Sequence, residues 1–388
     1  MIRYSHISYI SLIAALTCLP VIAMAHVDTD SISDQALVQE PDIVACTLED
    51  GTQSECAQFT VKYLPDDLDI GPFCPATLDD EGGIWDWTGD EAGLYRIDRA
   101  YFEFLSNLGY TFYDEDGTVH IADIATAQPE DDHACINVSE DASVTMTMLI
   151  PTTPVVADKS TALGTVSKIG LALNGVPIFS DAPSIQQTGH MPALDTCGGH
   201  VDPGGWYHWH ATSTDLNAVY DAVDVAASCY LEQDSAAMFG YAFDGFPLYG
   251  SQDAGGEVPT DLDECQGHVG VTEEYPDGVY HYHAGTEFPN LPPCLIGVQA
   301  EGNFTTTAEA GVGAQNAGDG GRNEPPRPGD NGGMPPGFED AAAQLGVTSE
   351  AFFAAMEAAG GRDADLSQVA TTLGVSLDDL QAAMPQRP

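Results

Sequence analysis

The sequence predicts a β-rich α+β protein in which a duplicated, disulfide-stapled β domain lies between a small N-terminal α+β unit and a C-terminal helical mini-domain. Three observations lead to this fold class. Three motifs occur twice in the same order, the cysteines outside the leader are even in number, and helical periodicity returns near the C terminus. The expected divisions are 1–25 (leader), 26–45 (flexible acidic lead-in), 46–150 (α+β unit), 151–298 (duplicated domain), 299–337 (Gly/Pro-rich linker) and 338–388 (helical repeat tail).

Residues 1–25 have the pattern of a secretory signal peptide. Arg3 provides a basic start, an apolar run ends at Ile22, and small residues follow before His26. We therefore expect cleavage before His26 and a secreted protein, either periplasmic or extracellular. The apolar run is too short for a transmembrane helix, and no later stretch is apolar for long enough to cross a bilayer, so no membrane span is expected.

The charge balance excludes two classes of partner. The chain has 10 Lys and Arg residues against 60 Asp and Glu residues, which gives a formal net charge of −50 at pH 7. Such a chain repels nucleic acid and anionic lipid surfaces, so neither is an expected partner. The acidic segment 26–45 also lacks periodicity, and this predicts a flexible lead-in.

The cysteines predict disulfides. Eight remain outside the leader: Cys46, Cys56, Cys74, Cys135, Cys197, Cys229, Cys265 and Cys294. An even number in an oxidising compartment predicts up to four bridges rather than metal ligands or nucleophiles, although spacing alone does not determine the connectivity. One cysteine follows each copy of the duplicated motifs, so we predict Cys197–Cys229 and Cys265–Cys294 bridges. A Cys197–Cys265 bridge is the alternative, and it would tie the two copies together.

The segment 46–150 has the pattern of one helix and several strands. Apolar residues at helical spacing predict a helix that ends at Gly109. The stretch "YTFYDEDGTVHIAD" predicts a hairpin that turns at Asp116 and Gly117, and the alternating "SVTMTMLI" predicts a half-buried strand. These elements together indicate a small α+β unit.

The central region, 151–298, contains the duplication. The matching pairs are "IGLALNGVPIFS" (169–180) with "FGYAFDGFPLYG" (239–250), "LDTCGGH" (194–200) with "LDECQGH" (262–268), and "GWYHWHA" (205–211) with "GVYHYHA" (278–284). Three motifs repeated in one order indicate two structural copies of one unit. We expect the copies to face one another about a pseudo-two-fold axis.

The duplicated motifs hold the candidate metal ligands, which are His200, His208, His210, His268, His281 and His283. Residues two apart in a strand point to the same face, so His208 and His210 share one face while Tyr207 and Trp209 lie on the other. If the two copies pack together, their histidines converge in one shared cleft. The second copy has a longer loop after its upstream histidine, which makes His268 the residue most easily displaced from that site.

Converging histidines predict a copper or zinc site, because neutral imidazole is the commonest protein ligand for both metals. Three histidines leave a coordination position open for metal-dependent water or oxygen chemistry, whereas four suit a structural or storage role. Nearby carboxylates could orient the rings: Asp195, Asp202, Asp263 and Asp277. The alternative is a non-catalytic extracellular structural or interaction module, in which the histidines bind one another and the backbone.

The C-terminal region has a different composition. The segment 299–337 is rich in Gly and Pro and predicts a flexible linker. In 338–388, a helix, an "LGV" turn and a second helix occur twice, which predicts a small bundle that docks a protein partner or acts as a spacer. The pattern is superficially similar to a DNA-binding helix-turn-helix, but an exported acidic chain excludes that function.

The central motifs resemble those of the YHYH-domain family of secreted bacterial and eukaryotic proteins. The resemblance covers about 160–298 and rests on "LALNGVPIF", "LDTCGGHVDPGGWYHWH", "GYAFDGFPLYG", "LDECQGH" and "YHYHAGTEFPNLPPCLIG". The first copy departs from the family pattern at Trp209, where it has YHWH in place of YHYH. This change lies on the aromatic face and leaves both histidines in place. The resemblance implies the duplicated domain and does not imply a particular activity.

Overall fold

The computed structural model describes residues 26–62, 68–127, 129–163, 168–180, 184–314, 345, 366–373, 375–377 and 380. The strands among them are β1 (Asp42–Thr47), β2 (Gln53–Lys62), β3 (Ile84–Trp87), β4 (Gly93–Arg96), β5 (Ile121–Ala122), β6 (Cys135–Ile136), β7 (Thr145–Pro151), β8 (Val156–Ala162), β9 (Lys168–Ala172), β10 (Pro177–Phe179), β11 (Gly199–Val201), β12 (Tyr207–Trp209), β13 (Met238–Ala242), β14 (Pro247–Tyr249), β15 (Gly267–Gly270), β16 (Val279–His283), β17 (Cys294–Gly297) and β18 (Phe304–Thr306). The helices are α1 (Arg99–Asn107), α2 (Ile185–Thr188), α3 (Leu216–Ala222) and α4 (Leu366–Leu373), and Thr29–Ser31 forms one turn of 3-10 helix. The chain divides into two units, 1–321 and 322–388.

The central sheet shows the duplication directly. Its eight strands follow the order β11-β12-β10-β9-β13-β14-β16-β15. The two equivalent strands β9 and β13 pair antiparallel at the middle of the sheet, with Leu171 opposite Tyr241. On one side, β9 forms a hairpin with β10, β10 pairs parallel with β12, and β12 pairs antiparallel with β11. On the other side, β13, β14, β16 and β15 repeat this arrangement in the same order. The two halves are therefore related by the expected pseudo-two-fold axis, which passes through the β9–β13 pair.

A second sheet, of order β1-β2-β7-β18, is antiparallel throughout. Strand β7 alternates as its sequence predicts, because Met146, Met148 and Ile150 are fully buried while the residues between them are half-buried. The acidic segment 26–45, for which composition predicts a flexible lead-in, instead buries Ile32 and leads directly into β1. Burial of its apolar side chains in the core holds this segment in place despite its acidic residues.

The predicted helix and hairpin of the N-terminal region are both confirmed. Helix α1 begins after Asp98, whose side chain accepts a hydrogen bond from the Tyr101 amide at 2.9 Å, and the chain reverses at Gly109 with φ +97°. The hairpin turns where Gly117, with φ +86°, donates its amide to the Asp114 carbonyl at 2.9 Å. These elements cover a local apolar cluster around Phe102.

One hydrophobic cluster spans the boundary expected at 150/151. It contains Phe59 and Met148 from the antiparallel sheet together with Leu171, Trp206 and Tyr241 from the duplicated region. The central sheet therefore packs on the other sheet, and its histidine-bearing strands are fixed on a continuous core.

The disulfides follow the prediction. Cys197 pairs with Cys229 and Cys265 pairs with Cys294, so each copy of the repeat closes its own loop. The remaining bridges are Cys46–Cys56 and Cys74–Cys135. Four bridges indicate a non-cytoplasmic protein, since thiols stay reduced in the cytosol of most organisms. Among the residues described, no helix has the length and apolar character that a bilayer crossing requires.

The expected leader, 1–25, lies outside the described residues, and so does most of the expected linker and of the helical tail. Within the second unit, α4 has the buried residues Val369 and Ala370.

Candidate metal centres

The first copy brings three histidines together. Strands β11 and β12 pair with His200 directly opposite His208, and His210 follows β12 on the same face. The Nε2 atom of His210 lies 3.0 Å from Nε2 of His208 and 3.1 Å from Nε2 of His200. Bonds of about 2.0–2.1 Å from a metal to two nitrogens place those nitrogens roughly 3 Å apart, so these separations suit one ion. We call these three residues the first cluster.

Backbone carbonyls orient two rings of the first cluster. The Nδ1–H of His200 donates to the Pro192 carbonyl at 3.2 Å, and the Nδ1–H of His210 donates to the Ser180 carbonyl. A neutral imidazole has one N–H, so this bonding leaves Nε2 of both rings as unprotonated acceptors. Two acceptor lone pairs face one another, which is unfavourable unless a cation lies between them.

The second copy repeats the arrangement and adds a carboxylate. His268 lies opposite His281 in the β15–β16 pair, and His283 ends β16. The Nε2 atoms of His268 and His283 are 3.2 Å apart, and Asp253 Oδ1 lies 3.2 Å from the first and 3.5 Å from the second. We call these four residues the second cluster.

The ring orientations in the second cluster parallel those in the first. His283 Nδ1–H donates to the Gly250 carbonyl at 2.7 Å, and Gly250 is the residue that corresponds to Ser180 in the repeat. The other ring is oriented by a side chain, because His268 Nδ1–H donates to Asp261 Oδ1 at 2.9 Å. The Nε2 atom of His283, which faces the centre of the cluster, is again free of a proton in the neutral ring.

Burial favours the neutral imidazole at His208, His210, His281 and His283. His208 and His210 are each 3% exposed, and burial lowers the pKa of His210 to about 4. Burial, followed by the neighbouring histidines, also holds the pKa of His208 well below its ordinary value. In the second cluster, burial lowers the pKa of His281 to about 4 and lowers the pKa of His283. Neutral imidazole is the form that binds a metal.

The structure separates the two clusters, so the expectation of one shared cleft is wrong. The strands that carry the HxH pairs, β12 and β16, are divided by β10, β9, β13 and β14. Five steps of about 4.8 Å place them roughly 24 Å apart across the sheet. Within each cluster, by contrast, the candidate ligand atoms lie within 4.8 Å of one another. The pseudo-two-fold axis relates two centres instead of building one.

The expected displacement of His268 is also wrong. The longer loop of the second copy lies between β15 and β16, after the upstream histidine has already paired. His268 therefore keeps the position opposite His281 that His200 has opposite His208.

Two of the aspartates expected to orient the rings bind tyrosines instead. Asp195 Oδ2 accepts the Tyr207 hydroxyl at 2.8 Å, and Asp263 Oδ2 accepts the Tyr280 hydroxyl at 2.9 Å. Each carboxylate also accepts backbone amides of its own turn. Burial raises the pKa of Asp195 to about 6. These aspartates therefore fix the tyrosines on the aromatic face of each strand. The histidine rings on the opposite face are oriented by backbone carbonyl oxygens and by Asp261.

Sequence reasoning missed Asp253 and Asp261. Both lie in the stretch between the second copy's β14 and β15, where the first copy has no equivalent carboxylate at the same distance from its strand. A search for repeated residues therefore passes over them. The sequence signal available for both residues is their position in the loop between β14, which contacts a histidine, and β15, which carries one.

The comparisons with known proteins agree with the interpretation of the motifs. A family model described as YHYH protein matches residues 147–258 and 254–297. The matched residues include all six histidines of the two clusters, and they confirm the resemblance seen in the sequence. No curated protein and no solved structure matches the chain.

Proposed function

The duplicated region, 147–297, belongs to the YHYH family, and from this premise we propose that it is a metal-binding domain that holds two transition-metal ions, one in each copy of the repeat. Copper and zinc suit donor sets made of imidazole, and zinc also accepts a carboxylate oxygen. The ligands are the three histidines of the first cluster and the three histidines with Asp253 of the second.

One observation carries the proposal. His200 and His210 both donate Nδ1–H to carbonyl oxygens, and their Nε2 acceptors nevertheless lie 3.1 Å apart, with His210 buried and His200 half-buried. Structural histidines would pair a donor with an acceptor. A facing pair of acceptors costs free energy unless a cation binds both of them.

The chemistry open to a bound ion differs between the clusters. A metal held by three imidazoles has a coordination position for water or oxygen, which is the arrangement that metal-dependent hydrolysis or oxidation requires. The first cluster has this donor set, whereas Asp253 supplies a fourth ligand in the second cluster. We therefore assign the water or oxygen chemistry to the first cluster. The export of the chain, which its disulfides support, would deliver this activity to the periplasm or the medium.

Metal analysis of protein purified without a His-tag tests the proposal. We expect two equivalents of copper or zinc per chain. The His200→Ala/His208→Ala variant should retain one equivalent, and the His268→Ala/His281→Ala variant should retain one as well. A quadruple variant should retain none.

A matched control removes two histidines that lie in neither cluster, through His133→Ala/His190→Ala, and it should keep both equivalents. A folded wild-type protein that takes up no copper or zinc would contradict the proposal. That result would support the non-catalytic extracellular module with structural histidines.

A further inference from the structure

The segment 212–215 follows the last histidine of the first cluster, and the second copy holds it in place. Thr212 donates its amide to Asn290 Oδ1 at 3.0 Å. In return, Asn290 Nδ2 donates to Thr212 Oγ1 and to the Thr214 carbonyl, both at 2.8 Å. Asn290 belongs to the second copy and is fully buried. The chain that leaves the first cluster is therefore anchored on the copy that carries the second cluster.

Asp215, at the end of this segment, has an unusual local structure. It is the N-cap residue of α3, a position where an aspartate side chain normally accepts a hydrogen bond from an amide of the first turn. The Asp215 side chain makes no such bond, although it is only 4% exposed. Its backbone has φ +59°, a left-handed conformation that costs free energy in a residue other than glycine. Contacts outside the helix must therefore hold this residue in place.

The contact that holds Asp215 comes from Ser251, which follows β14 in the second copy. Ser251 donates its amide to Asp215 Oδ2 at 2.9 Å and its hydroxyl to Asp215 Oδ1 at 2.8 Å. Both residues are buried, so water does not compete for these two bonds. The neighbouring amides of Gly250 and Gln252 donate instead to carbonyls of the chain just before β13. Ser251 is therefore the residue through which the first copy holds this segment.

Ser251 lies between two groups that belong to the second cluster. The residue before it, Gly250, supplies the carbonyl that accepts the Nδ1–H of His283 at 2.7 Å. Two residues after it, Asp253 supplies the carboxylate oxygen that lies 3.2 Å from His268 Nε2. The Asp253 side chain is 36% exposed, so packing alone does not hold it, and its reach depends on where the backbone places it. The two bonds at Ser251 fix that backbone immediately before the carboxylate ligand.

The corresponding position in the second copy has no such anchor. Counted from the last histidine of each HxH pair, Phe288 corresponds to Asp215. Phe288 has no side-chain acceptor, and it packs against the apolar cluster that contains Cys197 and Cys229 of the first copy. Among the described residues, the first cluster likewise has no carboxylate ligand. The aspartate anchor therefore occurs together with the carboxylate ligand.

We infer that Asp215 of the first copy is a positioning residue for the second metal centre: through Ser251 it holds Asp253 within reach of the ion that the three histidines bind. This inference rests on the function proposed for the second cluster. Residues that orient a metal ligand without touching the metal change the affinity by about 10- to 100-fold. Asp215 is such a residue, and it reaches the second centre from the other copy of the repeat.

Titration with cobalt(II) tests the inference in the His200→Ala/His208→Ala protein, in which only the second centre remains. The visible absorption of bound cobalt(II) depends on the number and type of its ligands. Adding Asp215→Asn, which keeps the size of the side chain and tolerates the left-handed backbone, should weaken cobalt binding about tenfold. The absorption spectrum should also move towards that of the Asp253→Asn variant. In a protein that already carries Asp253→Asn, the Asp215→Asn change should have no further effect, because the carboxylate that it positions is gone.

The matched control, Asp195→Asn, makes the same change at a buried aspartate of the first copy that binds Tyr207, and it should leave the cobalt affinity and spectrum unchanged. Ser251→Ala removes one of the two bonds, leaves Asp215 in place and should give a smaller loss of the same kind. Far-ultraviolet circular dichroism checks that each variant is folded. An unchanged spectrum and affinity in Asp215→Asn would overturn the inference and leave the proposed function intact. So would an equal loss in the control, or an undiminished loss in the Asp253→Asn protein. A folded parent protein that binds no cobalt would contradict the proposed function of the second cluster, and the inference with it.

Discussion

The two histidine clusters share one scaffold and differ in what surrounds it. In each copy an upstream histidine pairs across a hairpin with the first histidine of the HxH motif, and the last histidine binds the carbonyl at the same place in the repeat. The first cluster has no carboxylate among its described members, whereas the second includes Asp253 and is flanked by Asp261. Among the described residues, the duplication therefore keeps the histidine ligands in place, and the loop that carries Asp253 and Asp261 adds negative charge at the second cluster.

This difference in charge predicts a difference in metal preference. A donor set of three neutral imidazoles leaves the full charge of the ion uncompensated in a buried position, and a lower charge on the ion reduces that cost. The carboxylate of the second cluster offsets one unit of charge and suits a divalent ion such as zinc. We expect the first cluster to favour copper, as the singly charged Cu(I) ion, and the second to favour zinc.

The largest expected effect is on the pH dependence of the free energy of unfolding of metal-free protein. Here the first and second clusters should contribute equally. Burial lowers the pKa of His210 to about 4 from an ordinary value of 6.5, and the unfolded chain keeps the ordinary value. Between these values only the unfolded chain binds the proton, so the free energy of unfolding falls as the pH falls from 6.5 to 4. His210 should contribute a loss on the order of 3 kcal/mol over that range.

Urea unfolding of metal-free wild type and of the His210→Gln and His281→Gln variants measures this contribution at each pH. Each variant should show a shallower decline than wild type, and the two should match because the pKa of His281 is also about 4. Asp195 and Asp244, whose pKa values burial raises to about 6, act in the opposite direction. They are present in all three proteins and cancel in the difference. A decline as steep in the variants as in wild type would show that these imidazoles already carry protons in the folded state.

The next effect should separate the clusters. Asp253→Asn removes the carboxylate charge from the second cluster and keeps the shape of the side chain. We expect about a 100-fold loss of zinc affinity at that site, and no change in the first cluster. Asp261→Asn, which acts on the metal through His268, should cost about tenfold. Competition titration with a zinc chelator measures both sites, and equal losses at both would contradict their independence.

The local structure of each copy could be predicted from the sequence, but the relation between the copies could not. Alternation in "YHWH" and "YHYH" assigns the histidine face of each strand, and one cysteine after each copy identifies the Cys197–Cys229 and Cys265–Cys294 bridges. A period of two does not say which strands pair at the centre of a sheet. Because β9 and β13 pair there, the histidine strands lie far apart.

The groups that orient the rings were also beyond prediction, for a different reason. Carbonyl oxygens such as that of Ser180 are present at every residue, so they leave no signal in the sequence. Asp253 is one of 60 acidic residues in the chain, and no repeated motif distinguishes it. Only the three-dimensional placement selects them.

The smallest effect concerns the aromatic ring that packs on each cluster. In the first copy Phe179 contacts His208, with centroids 5.0 Å apart, and in the second copy Tyr249 contacts His281 at 4.9 Å. The Tyr249 hydroxyl donates at 2.5 Å to Glu274, which is exposed.

Exchanging the two rings should therefore have unequal consequences. Tyr249→Phe removes a hydrogen bond to the exposed Glu274 and a 2.8 Å bond to the buried Thr272 hydroxyl, which still accepts the Tyr275 amide, so the free energy of unfolding should fall by about 1 kcal/mol. Phe179→Tyr places a hydroxyl near Trp206 and Phe304 in the core, where it should cost about 1–3 kcal/mol. Both variants keep the ring on the histidine and should retain two equivalents of metal. Urea unfolding and metal analysis check these outcomes together. Loss of metal from Tyr249→Phe alone would show that the hydroxyl, through Glu274, positions the second cluster. The aromatic residues Phe179 and Tyr249 would then differ in function between the two copies.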